Sequence, residues 1–172
     1  IGLPLKQAFT DLLPMTDEMG EQCVETYRRL FNENNALYVI PTFPHVMETL
    51  HQLHEQGYTL TIASSRSNRS LMEFVNDMHL NDVIPYVLGA EDVAHAKPHP
   101  APVLQTLESF SCKPEDALVV GDTWYDIEMG RRAGVRTCGV TYGNGSREEL
   151  MRAGADFLVN DFGELLKLAG GK

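Results

Sequence analysis

The chain has 172 residues, 43% hydrophobic and 22% charged, with a formal net charge of −10. That balance suits one globular domain with an appendage, and the surplus of acid excludes a typical nucleic-acid binder, since phosphate backbones are held by Lys and Arg. Cys23, Cys112 and Cys138 are too few and too scattered for a disulfide framework or a zinc site. No apolar run reaches membrane-spanning length and no stretch reads as a signal peptide, so the expectation is a cytoplasmic protein with reduced thiols.

Residues 1 to about 36 read as helical. Leu5, Phe9, Leu12 and Leu13 share a face before Pro14, and a second pattern runs from Asp17 to about Asn35 with Cys23, Val24, Tyr27, Leu30 and Phe31 on its apolar stripe. So few apolar residues make no core of their own, and the expectation is part of a helical cap packed on something larger. Two prolines within residues 37–44 mark a linker.

From Pro44 onward helices and strands alternate. Val46, Met47, Leu50 and Leu53 line a helix that stops at Gly57. Strands are predicted over 58–63, 86–89, 117–121, 135–140 and 156–159. Between and after them come a helix lined by Leu71, Phe74, Val75 and Met78 and helices over 102–110, 124–133, 147–153 and 162–169. Ser146 with Glu149, and Asp161 with Glu164, have capping-box spacing. Such alternation predicts an α/β, Rossmann-like three-layer domain with a parallel sheet and right-handed crossovers. Gly143-Asn144-Gly145 is too short for a dinucleotide fingerprint and reads as a loop; no Walker A pattern occurs.

Parallel sheets present their ligand-binding groups at the strand C-termini. The strand ending at Ala63 delivers Ser64-Ser65-Arg66, the strand at 86–89 is followed by Lys97-Pro98, and the strand ending at Gly121 delivers Asp122, with Asp126 four residues on. The acids read two ways. They are oxygen ligands for a hard cation, or Asp122 is an N-cap and Asp126 a first-turn acid favoured by the helix dipole. A hydroxyl, an ammonium and an acidic pair on one rim make a phosphate-and-magnesium site. His51 and His54 read as a solvent-facing pair rather than metal ligands, and His95 and His99, flanking Lys97, as surface residues. Trp124 and Tyr125 either wall the site or pack under the cap.

Ser64 at a strand end, Lys97-Pro98 and Gly121-Asp122-Thr123-x-x-Asp126 resemble the second, third and fourth motifs of the haloacid-dehalogenase superfamily. The likeness covers nearly the whole chain and is nearest to the phosphoglycolate-phosphatase-like branch. It implies a magnesium-dependent phosphatase acting on a small phosphorylated metabolite, phosphoglycolate-like, through an aspartyl phosphate. By that resemblance Ser64 orients the phosphoryl group, Lys97 bridges it to the nucleophile, Asp122 ligates Mg2+, and Asp126 ligates it or holds one of its waters. Ser65 adds a backbone donor and Arg66 a weaker phosphate contact. A sugar-phosphate mutase of the same superfamily, and a non-catalytic remnant that binds a phosphorylated ligand or partner, are the alternatives.

The superfamily's first motif, Asp-x-Asp-x-Thr, does not occur in the sequence. The expectation is therefore a partial cap over residues 1–38 and a core over 39–172 that lacks its first, central strand, the one bearing the nucleophile, so that this chain is inactive alone.

Overall fold

A computed structural model describes residues 3–35 and 41–170. The chain divides into two compact units, Leu3–Thr42 and Phe43–Lys172. Residues 36–40, which include half of the predicted linker and the 38/39 boundary, lie outside the described residues.

The first unit holds α1 (Leu5–Leu12) and α2 (Asp17–Asn35). Phe9 meets Tyr27 edge-on at 6.2 Å, Tyr27 stacks on Phe31 at 6.1 Å, and Lys6 bridges Asp17 and Glu21 at 3.0 and 3.1 Å. These contacts tie the two helices of the pair together. No residue of α1 is buried, and Leu12, Leu13 and Leu30 stay exposed within the described structure. Two short helices have too little facing surface to remove an apolar stripe from water.

The second unit runs α3 (Val46–Glu55), β1 (Thr61–Ala63), α4 (Asn68–Asp77), β2 (Tyr86–Leu88), α5 (Ala101–Ser109), β3 (Leu118–Gly121), α6 (Trp124–Arg132), β4 (Arg136–Val140), α7 (Arg147–Ala153), β5 (Phe157–Val159) and α8 (Leu165–Ala169). Two differences from the predicted bounds have a physical cause. Residues 58–60 precede β1 without pairing, and Tyr58 instead donates its hydroxyl to the Ala169 carbonyl at 2.6 Å. The predicted helix over 162–169 opens as a tight 3-10 turn over Phe162–Glu164. There the Asp161–Glu164 capping box takes up free N–H groups: Asp161 accepts from Gly163, and Glu164 from Asn160 and Asp161. The Ser146–Glu149 box starts α7 as expected.

All strand pairs are parallel, but the hydrogen bonds run in two sheets, β1–β2 and β3–β4–β5, rather than one. Each sheet has its own core. Val75, Leu80, Val83 and Ile84 pack with Met47, Leu50, Ile62 and Val87 on the β1–β2 side. Val103, Leu107, Met129 and Val135 close around Val119 on one face of the second sheet, and Cys138, Val140, Val159 and Leu165 fill another cluster. Each such Val or Leu contributes about 1.5–3 kcal/mol by leaving water. The exception is β3: Leu118 and Val120 are each 36% exposed while Val119 between them is packed inward. No described helix is long and apolar enough to cross a membrane.

Candidate active site

The site is built where β1, β2 and β3 end. Ser64 continues the first sheet by one bond, its N–H donating to the Leu88 carbonyl at 2.9 Å. Its Oγ accepts from the Arg66 N–H at 3.2 Å, which fixes the oxygen and leaves the hydroxyl proton to point elsewhere. Ser64, Ser65 and Gly89 line a shallow pocket, and Lys97 lines it too. Lys97 reaches it from the loop after β2, where the Lys97–Pro98 bond is cis.

Lys97 Nζ donates to Asp126 Oδ1 at 2.7 Å, and the two side chains are only 14% and 9% exposed. The other oxygen, Oδ2, accepts from the Thr123 N–H at 3.1 Å and from the Thr123 hydroxyl at 2.7 Å. Thr123, not Asp122, is therefore the N-cap of α6, and Asp126 is the acid of its capping box. Both Asp126 oxygens are committed to protein donors. Its carboxylate folds back over Gly121, where an added Cβ would meet Asp126 Cβ at 2.2 Å. The glycine before Asp122 is thus required by close approach rather than by the turn.

Asp122 differs. Its Oδ2 accepts from the Asn144 backbone N–H at 2.9 Å and from the Asn144 side-chain amide at 2.8 Å. No described residue bonds to its Oδ1. Among the described residues no group of three or more His, Cys, Asp or Glu side chains gathers. The donor set still fits magnesium, which takes one or two carboxylates and keeps several waters of its own. Of the two acids, Asp122 has the uncommitted oxygen.

The structure thus brings Ser64, Ser65, Lys97 and Asp126 together around one pocket and its wall, with Asp122 in the turn between β3 and α6. It turns Arg66 elsewhere: its guanidinium donates to Ser70 at 2.7 Å and lies 5.9 Å from the Phe74 ring centre. Trp124 and Tyr125 stack on each other at 3.9 Å, His95 and His99 lie 4.4 Å apart, and His51 and His54 are exposed on α3. In the sequence Asn144 reads only as part of a loop. The signal that could have found it is its position after β4, the next strand of the same rim, between two glycines.

A family model described as haloacid dehalogenase-like hydrolase matches residues 1–140. The chain is 33% identical over 170 residues to the pyrophosphatase PpaX of Anoxybacillus flavithermus, covering 99% of this chain and 77% of that protein. It is 34% identical over 129 residues to a phosphoglycolate phosphatase of Aquifex aeolicus, covering 75% of this chain and 60% of that one. A crystal structure of a predicted phosphatase from Clostridium acetobutylicum superposes with a TM-score of 0.85 at 27% identity, over 98% of this chain and 77% of that one.

Proposed function

This chain belongs to the haloacid dehalogenase-like hydrolases, and from that premise we propose that it is the phosphoryl-binding part of a phosphatase for a small phosphate monoester, phosphoglycolate-like. The observation that carries the proposal is the buried Lys97–Asp126 pair at the edge of a pocket lined by Ser64 and Ser65. An ammonium held there by a sealed carboxylate is a fixed positive charge, which a phosphoryl group needs and a merely structural loop does not.

In this reading the Ser64 hydroxyl donates to a phosphoryl oxygen and Ser65 adds its N–H. Lys97 neutralises charge that builds on the phosphoryl oxygens. Asp122 is the residue that would hold Mg2+ through its uncommitted oxygen, with Asp126 setting the position of Lys97 and reaching the ion only through a water. When bound, the ion supplies positive charge to the phosphoryl oxygens. Arg66, bonded along α4, is left a peripheral part.

The attacking group in the proposal is an Asp carboxylate, which takes the phosphoryl group as the P–O bond to the ester's alcohol breaks and the alcohol leaves with a proton; water then cleaves the aspartyl phosphate to free carboxylate and inorganic phosphate. The reading puts it on a strand between β1 and β3. In support, among the described residues β1 pairs on one edge only, β3 likewise, and the sequence contains no Asp-x-Asp-x-Thr. Residues 1–38 are proposed as part of a substrate-selecting cap and 39–172 as the core. The apolar stripe left open within the helical pair supports this. A cytoplasmic location belongs to the same reading.

The test is phosphate release by the full-length protein from phosphoglycolate, other small monoesters and pyrophosphate, with and without Mg2+. Magnesium-dependent turnover of a monoester is expected, falling at least about 10²-fold in Lys97→Ala. A preference for pyrophosphate would overturn the substrate assignment. Strong turnover by residues 1–172 alone would overturn the placement of the nucleophile.

A further inference from the structure

The loop between β4 and α7 closes around Asp122 on three sides. The Gly145 N–H donates to the Asp122 backbone carbonyl at 2.9 Å. The Asn144 N–H and side-chain amide both donate to Oδ2, at 2.9 and 2.8 Å. A Cβ at Gly143 would lie 2.2 Å from Asp122 Cβ, and one at Gly145 would lie 2.4 Å from the Asp122 carbonyl oxygen. Only glycine on each side of Asn144 lets the backbone come so near. The loop is shaped around this one acid, and both of Asn144's donors go to the same oxygen.

That asymmetry has a chemical consequence. A carboxylate with two donors on one oxygen offers a cation only the other. Calcium accepts carboxylates through one or both oxygens in loose shells of six to eight ligands, whereas magnesium demands a small octahedral shell and takes single oxygens. To chelate calcium through both oxygens, Asp122 would have to give up its bonds from Asn144.

We infer that Asn144 is a positioning residue that holds Asp122 to one-oxygen coordination and thereby selects magnesium over calcium. This rests on the reading of Asp122 as the metal-holding acid, and goes beyond it by assigning the choice of ion to a residue that acts through its bonds to that acid.

The experiment is calorimetric titration of the metal-free full-length protein with Mg2+ and separately with Ca2+, for wild type, Asn144→Ala, Asn144→Asp and Asp122→Asn. Outer-shell partners typically set metal affinity by about 10–100-fold. Asn144→Ala is expected to weaken Mg2+ by about that factor while leaving Ca2+ much less affected, and the KM for Mg2+ should rise more than kcat falls. Asn144→Asp keeps the backbone donor and the side-chain shape but cannot donate from the side chain. It should shift the preference further toward Ca2+, and it serves as the working variant if the alanine form fails to fold. If Asp122→Asn still binds Mg2+ at wild-type affinity, the reading of the site fails. If Asp122→Asn loses Mg2+ while both Asn144 variants keep the wild-type ratio of Mg2+ to Ca2+ affinity, the role of Asn144 is overturned and the site reading stands.

Discussion

The β1–β2 half and the β3–β4–β5 half of the α/β unit solve different problems. The first has a two-stranded sheet and contributes neutral donors, Ser64 and Ser65, beside a pocket. The second has a three-stranded sheet and contributes both acids, each held by several hydrogen bonds. Each half has its own apolar cluster. Across them run polar ties of unequal burial: Lys97 to Asp126, Tyr58 to Ala169, and His45 to Asp161. The half that forms the pocket depends on the half that carries both acids, because Lys97, which lines the pocket, is anchored across the divide.

Cutting the most buried tie tests this most severely. Lys97→Ala leaves the Asp126 carboxylate buried without its cation and should cost about 3–5 kcal/mol in urea unfolding. If it costs less than about 1 kcal/mol, the halves are held by packing alone. Ser64→Ala removes one aimed donor and should lower kcat of the full-length protein by about 10²–10³-fold. Its unfolding midpoint should move little, and a large loss of stability would show Ser64 to be structural. Tyr58→Phe removes a single hydrogen bond and should cost about 1 kcal/mol by thermal melting.

The tie between His45 and Asp161 is conditional on pH. His45 Nδ1 lies 2.6 Å from Asp161 Oδ2; this bond raises His45 above its ordinary 6.5 and lowers Asp161 below its ordinary 3.8. The histidine's share of the stability is full below pH 6.5 and is lost as pH rises through its raised value. The aspartate's share is full above pH 3.8 and is lost as pH falls through its lowered value. The difference in melting temperature between wild type and His45→Ala should therefore be largest between those limits and shrink on either side. A pH-independent difference would mean that His45 acts only through packing.

What the sequence made legible was local. The Ser64, Lys97 and Asp122–Asp126 positions follow from where apolar runs stop, and chain connectivity alone orders them along a rim. Capping boxes at Ser146 and Asp161 are also short-range, and both appear. Asn144 was missed because its partner lies 22 residues away. The spacing of Asp122 and Asp126 leaves a ligand and a capping reading both open, because it does not say which oxygen a distant lysine takes. Leu118 and Val120 look interior in a hydropathy pattern, which records chemistry and not cover; in the structure they are exposed.

Gly121 illustrates how a residue with no side chain governs a charge. Adding one methyl there would set carbon against Asp126 Cβ and Cγ, and because Cβ is fixed to the backbone, the first turn of α6 would have to move, taking the carboxylate and the ammonium of Lys97 with it. A loss-of-function lesion at this position would read as chemical failure in an assay, although no reacting atom had been altered.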